Sequence, residues 1–173
     1  MDALLAQAFV DRGARAVGRL RMSTSDATVR PRVQTLVEEA LRLTTLPGED
    51  QGRVYVFQRL RLPALDIRAA PSQWMTRCAT HLLEMCQSAI HASDPRAARA
   101  DAVYFTTRHE PARLLMLQLL QGGAAAEWFW PQATAIPCGI AVGDRIEGVL
   151  DRWRIQEAGW AGVAREQIGR AHV

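Results

Sequence analysis

Apolar positions recur along this chain with two periods, and the switch between them marks out its elements. Over residues 1–15, Leu4, Leu5, Ala8, Phe9 and Val10 fall at helical spacing and predict a short leading helix. Gly13 and Gly18 weaken any continuation. Over residues 16–23 the pattern changes to alternation, with Leu20 and Met22 set against Arg19 and Arg21, as a half-buried strand requires. Ser23-Thr24-Ser25-Asp26 offers N-caps for a helix carrying Val29, Val33, Leu36, Val37, Ala40 and Leu41 on one face. Pro31 is tolerated in its first turn, and Leu46-Pro47-Gly48 breaks it.

Residues 53–62 carry the clearest strand pattern, Val54, Val56, Leu60 and Leu62 alternating with Tyr55, Phe57, Arg59 and Arg61. Pro63 has no amide hydrogen for a ladder and ends it. A helix is predicted from Pro71 to about Ala92, with Trp74, Cys78, Leu82, Met85 and Ala89 on one face before the break at Ser93-Asp94-Pro95. Residues 102–106 predict a third strand. Thr107 and Glu110 have the spacing of a capping box for the leucine-rich helix that follows, and Gly122-Gly123 closes that helix. Beyond Trp128-Phe129-Trp130-Pro131, Pro137 and Gly139 suggest a linker, and Asp144 and Glu147 suggest the cap of another helix through about Glu157.

A leading helix followed by strand-helix three times predicts an α/β or α+β fold, a small three-stranded sheet packed with helices. The expected organisation is a leading helix over 1–15, an α/β domain over 16–131, and a linker with the truncated start of a helical region over 132–167. Residues 168–173, Ile168-Gly169-Arg170-Ala171-His172-Val173, are what one frame of a common short-read sequencing adapter encodes, followed by a stop. They are expected to be read-through and not protein, which makes the chain an amino-terminal fragment of a larger bacterial protein.

Composition changes this picture little. The chain is 49% hydrophobic and 23% charged, as a globular protein is. Its 21 basic and 18 acidic residues give +3, too small and too scattered an excess to argue for nucleic acid. Every basic residue is arginine, and asparagine is missing too, which reads as a GC-rich genome before it reads as phosphate recognition. Cys78, Cys86 and Cys138 are an odd number with no signal-peptide pattern ahead of them, and no apolar run reaches membrane-spanning length. A cytoplasmic location is expected.

Candidate chemistry is sparse. Cys78 and His81 share a helical face and could begin a metal site, but no further ligand spacing accompanies them, and a thiol beside Trp74, Leu82 and Met85 is expected in the core. Arg108-His109-Glu110 fits a solvated helix entry better than an acid–base pair. Arg59 and Arg61 could grip an acidic partner or form the wet side of a strand. The aromatic run Trp128, Phe129 and Trp130 suits either core anchoring or partner binding. No nucleotide-loop, zinc-protease, serine-hydrolase or calcium-loop spacing occurs, so no catalytic residue, cofactor or metal is expected.

The strand at residues 19–23, the strand Val54-Tyr55-Val56-Phe57-Gln58-Arg59-Leu60-Arg61-Leu62, the leucine helix at 113–122 and Trp128-Phe129-Trp130 together resemble a bacterial pattern. It is similar to the amino-terminal region of tape-measure-type proteins of extracellular contractile injection systems. Where such proteins end the second strand with Asp-Leu-Gly, this chain has Leu62-Pro63-Ala64-Leu65-Asp66. The resemblance implies a non-catalytic structural or assembly component with protein subunits as partners, no membrane and no small-molecule substrate. Arg59, Arg61, Trp128, Phe129 and Trp130 are its candidate contact residues. The alternative is a regulatory or nucleic-acid-binding module that uses arginines on a sheet face.

Overall fold

The computed structural model describes residues 15–17, 27–65 and 70–154. The leading helix, most of the strand expected at 16–23, the caps at 23–26 and the segment 168–173 lie outside these residues; 15–17 are irregular. Among the described residues the fold is α+β, with a small three-stranded mixed sheet and five α-helices. Two compact units divide between Arg108 and His109. The leucine helix and the aromatic run therefore belong with the C-terminal unit, where the sequence pattern had grouped them with the sheet.

In the N-terminal unit, helix α1 (Arg30–Leu43) has its proline in the first turn, where a missing amide hydrogen costs nothing. It ends at Thr44, whose backbone N–H (3.2 Å) and hydroxyl (2.7 Å) both donate to the Ala40 carbonyl. Helix α2 (Pro71–Ser88) buries Trp74, Cys78, Leu82 and Cys86, one residue per turn along a single stripe. Val37, Ala40, Trp74 and Cys78 form one core cluster where α1 meets α2, with Leu62 and Leu65 packed against it. Trp74 satisfies its indole N–H on the Pro63 carbonyl at 2.9 Å.

The sheet consists of β1 (Val54–Phe57), β2 (Ile90–His91) and β3 (Ala102–Phe105) in the order β1-β3-β2. β1 runs antiparallel to β3 and β2 runs parallel to it. Three sequence expectations change here. The strand expected over 53–62 stops at Phe57, because its partner β3 begins only at Ala102; one further bond, from Gln58 N–H to the Asp101 carbonyl at 2.8 Å, closes the ladder. Leu60 and Leu62 keep the alternation but have no strand to pair with. The helix expected to reach Ala92 stops at Ser88, since Ile90 and His91 pair with Val103 and Tyr104 instead. Helix α3 (Glu110–Leu120) starts on Glu110 itself, so Thr107 lies too far out to cap it and no capping box forms.

The C-terminal unit is helical. α3 buries Leu115, Met116 and Leu119 and closes as a Schellman motif: Gly122 at φ +77° donates to the Leu119 carbonyl (3.1 Å), and Gly123 to that of Gln118 (2.9 Å). The short α4 (Trp130–Thr134) packs on α3 and ends on Ala135 at φ +50°. Helix α5 covers residues 142–154, starting two residues before the expected Asp144. Its Val149 is fully buried, and Gly148 lies beside the Ile136 side chain.

Candidate functional site: an aromatic sheet face with a cationic end

Residues directly paired across strands share a face of a sheet, and alternate residues along each strand take opposite faces. Val54, Val56, Ile90, Val103 and Phe105 therefore point one way. Val56, Val103 and Phe105 are buried there, on the side that receives α2. Tyr55, Phe57, His91 and Tyr104 point the other way, and all four are half-buried. Their rings make one row across all three strands. Phe57 and Tyr55 are nearly parallel with centroids 6.2 Å apart, Tyr55 and Tyr104 are tilted at 6.2 Å, and His91 meets Tyr104 edge-on at 5.1 Å.

One end of this row is cationic. Arg53, just before β1, holds its guanidinium 5.0 Å from the centre of the Tyr104 ring and lies 3.4 Å from the Tyr55 hydroxyl. The Tyr55 hydroxyl in turn donates to the Pro47 carbonyl at 3.1 Å. Gly52, at φ +84°, turns the chain into β1 and lies against the backbone and stem of Arg108, which follows β3. The same end receives the imidazole of His91, with the Ser93 hydroxyl 2.7 Å from Nδ1 and the Thr106 hydroxyl 3.4 Å from Nε2. It is also the carboxyl end of the parallel pair β2 and β3.

None of the three strands carries an Asp or Glu, and among the described residues neither Arg53 nor Arg108 is paired with one. Asp94, two residues past β2, is bound by Arg96 through three contacts between 2.8 and 3.1 Å. The Arg96 side chain and amide hold its carboxyl down at about 2.

The residues expected to make contacts are placed differently. Arg59 and Arg61 are exposed but lie in the irregular segment after β1, so they share no strand face. Phe129 and Trp130 are interior residues of the C-terminal unit, 1% and 2% exposed, so neither offers a contact surface. The Trp130 indole donates to Glu127 at 2.7 Å, and Phe129 sits between the two tryptophan rings at 4.8 and 5.5 Å. Trp128 is half-buried, with no acceptor for its indole N–H among the described residues. Cys78 is fully buried in the α1–α2 core, where desolvation raises its thiol pKa, while His81 lies 3.7 Å from Glu84 on the outside of α2. No group of three or more metal-ligating side chains occurs among the described residues.

No protein-family model, no curated protein and no solved structure matches the chain.

Proposed function

We propose that this chain is a non-catalytic recognition module, a component that works by docking within a larger assembly. The observation that carries this reading is the ring row of Phe57, Tyr55, Tyr104 and His91 on the sheet face opposite Val56, Val103 and Phe105, with Arg53 over Tyr104. A row of half-buried aromatics with an unpaired guanidinium supplies contact area and orientation, the two needs of a docking face. The Ser93 and Thr106 hydroxyls lie at the two ring nitrogens of His91 and help fix its orientation in the row. No helix among the described residues is long and apolar enough to cross a membrane.

The resemblance to tape-measure-type proteins supplies one concrete setting, with neighbouring subunits of an injection system as the assembly. Reading the uninterrupted gene and its neighbours tests that setting; a short isolated gene with no sheath, tube or baseplate genes beside it refutes it. The docking role is tested by co-expressing the chain with the products of the adjoining genes and comparing retention. Arg53→Gln combined with Tyr55→Leu is expected to abolish co-purification, while Arg59→Gln with Arg61→Gln leaves it. Equal retention by both double variants refutes the assignment of the sheet face.

A further inference from the structure

We propose that the aromatic sheet face binds single-stranded nucleic acid, with Tyr55, Tyr104 and Phe57 as stacking rings and Arg53 and Arg108 as phosphate ligands. This deepens the docking reading above and rests on it. The chemistry of the face selects the ligand. The strand side chains on it are three aromatic rings, an imidazole and one buried alanine, Ala102, with the Arg53 guanidinium over Tyr104; no Leu, Ile, Val or Met is among them. A partner of aliphatic character therefore finds little to pack against. A chain of flat π-systems joined by anions finds both of its needs met: rings for the bases, and a cationic end for the backbone.

Unpaired bases are required for this contact. Half-buried rings on a pleated sheet can stack only on a base whose face is open, and in a duplex those faces are covered by neighbouring pairs. Arg53 serves both ends of such a ligand, because its guanidinium lies over Tyr104 and can extend the stack while its outer edge meets a phosphate. Arg108, whose stem lies along Gly52, puts a second guanidinium at the same end. The hydroxyls of Ser93 and Thr106 beside His91 supply polar contacts at the β2 edge. Of the carboxylates near this end, Asp94 is bound by Arg96 and Glu49 by Arg15, and the exposed Asp50 forms no ion pair with Arg53 or Arg108, which leaves both guanidinium groups to an anion.

The test uses the full chain and a fluorescently labelled oligouridylate of about a dozen nucleotides, with a duplex of the same length as comparison. Binding is followed by anisotropy from about 50 to about 200 mM salt. Two phosphate contacts on a single strand give a log–log slope of about −1.4, a drop in affinity of roughly sevenfold over that range. Tyr104→Leu is expected to weaken binding about 5- to 100-fold, the loss of one stacked base. Arg53→Gln and Arg108→Gln are each expected to flatten the slope by about 0.7. Ultraviolet crosslinking of the unsubstituted chain, mapped by mass spectrometry, gives a readout independent of how the variants fold, with adducts expected on Tyr55 or Tyr104.

Absence of single-strand binding at low salt overturns the proposal, as do equal affinity for the duplex, crosslinks confined to residues 109–154, or a folded Tyr104→Leu protein that binds unchanged. If oligonucleotide binding is absent while the Arg53 and Tyr55 substitutions still abolish co-purification, the nucleic-acid proposal falls and a protein occupies the face. If those substitutions alter neither, the docking reading falls with it.

Discussion

Replacing Arg145 with methionine should unfold the C-terminal unit preferentially. Arg145 sits on α5 and is 1% exposed. Its Nη1 donates to the Ala124 carbonyl at 2.7 Å and its Nη2 to the Ala125 carbonyl at 2.8 Å, while its Nε has no acceptor among the described residues. These bonds hold the turn between α3 and α4 in which Ala125 takes a left-handed φ of 44°, a conformation that costs an L-residue about 1–2 kcal/mol. Hydrogen bonds to a charged group contribute about 1.5–3 kcal/mol each. The two losses are unequal. Ala124 is exposed and its carbonyl can turn to water, whereas Ala125 is buried and its carbonyl keeps only the weak Cys138 thiol contact at 3.6 Å. Removing the unsatisfied Nε returns about 1 kcal/mol of desolvation. The net cost of Arg145→Met is then about 2–3 kcal/mol, and Arg145→Lys, which can reach one carbonyl, should lose roughly half of that. Urea denaturation followed by tryptophan fluorescence measures the stability change. Hydrogen exchange locates it, with protection expected to fall across residues 124–134 and to persist at Val103 and Phe105. A Met variant within about 0.5 kcal/mol of the parent, the ordinary range for a surface substitution, would show that the turn does not depend on this guanidinium.

The Schellman closure of α3 separates two glycines by mechanism. Gly122→Ala should cost about 1–2 kcal/mol, a backbone penalty alone, because nothing lies within 4 Å of the added carbon. Gly123→Ala should cost about 2 kcal/mol or more, because its carbon would fall 2.8 Å from Gln118 Cγ and 2.9 Å from the Gln118 carbonyl; thermal melts of the pair decide the order. Iodoacetamide at neutral pH should label Cys138 first, since Cys78 and Cys86 are buried and desolvation lifts the Cys86 thiol to about 11; mass spectrometry showing early labelling at Cys86 contradicts this packing. Burial pushes the Glu127 carboxyl upward, but the hydrogen bonds from Gln118, from its own amide and from Trp130, with the charge of Arg145, outweigh it and leave the pKa below its usual value. A depressed folded pKa adds stability above the unfolded value of about 4.3, and that stability is lost as pH falls through the folded pKa. Glu127→Gln should therefore be less stable than the parent at neutral pH, and the difference should close in acid; a gap independent of pH contradicts the assignment.

Sequence pattern identified those elements whose own side chains decide their form. α1 and α2 show their buried stripes directly in the order of residues, and the glycine pair after Leu120 marks a helix end by the conformation it permits. What the pattern missed depended on partners distant in the chain. Ile90 and His91 read as the end of a helix, and only pairing with β3 makes them a strand. β1 looked twice its length because Leu60 and Leu62 keep the period, yet a strand persists only where a neighbour supplies hydrogen bonds, and β3 starts at Ala102. Glu110 looked like the third residue of a capping box, yet it is the first residue of its helix, buried, with Arg113 at 3.4 Å.

The candidate site was hidden for the same reason. Its parts come from positions 53–57, 91–93 and 104–108, and each fragment alone is ordinary: a strand with two aromatics, a histidine before a turn, a tyrosine in a short apolar run. The phase of the alternation was nevertheless there to be read. Tyr55 and Phe57 occupy the positions between the buried valines of β1, and Tyr104 lies between Val103 and Phe105, both fully buried. Rings placed at outward positions on two strands are costly to leave in water, so their coincidence on one face calls for a partner or for mutual cover. The structure shows partial mutual cover, with Arg53 over one ring and every ring still half-exposed. Arg59 and Arg61 drew attention as a pair because they are adjacent in the same alternation, but without a strand beneath them they have no common face. Arg53 has one, fixed by Gly52 behind it and Tyr104 below it, and that fixed placement distinguishes a cation that can orient a ligand from one that only adds charge.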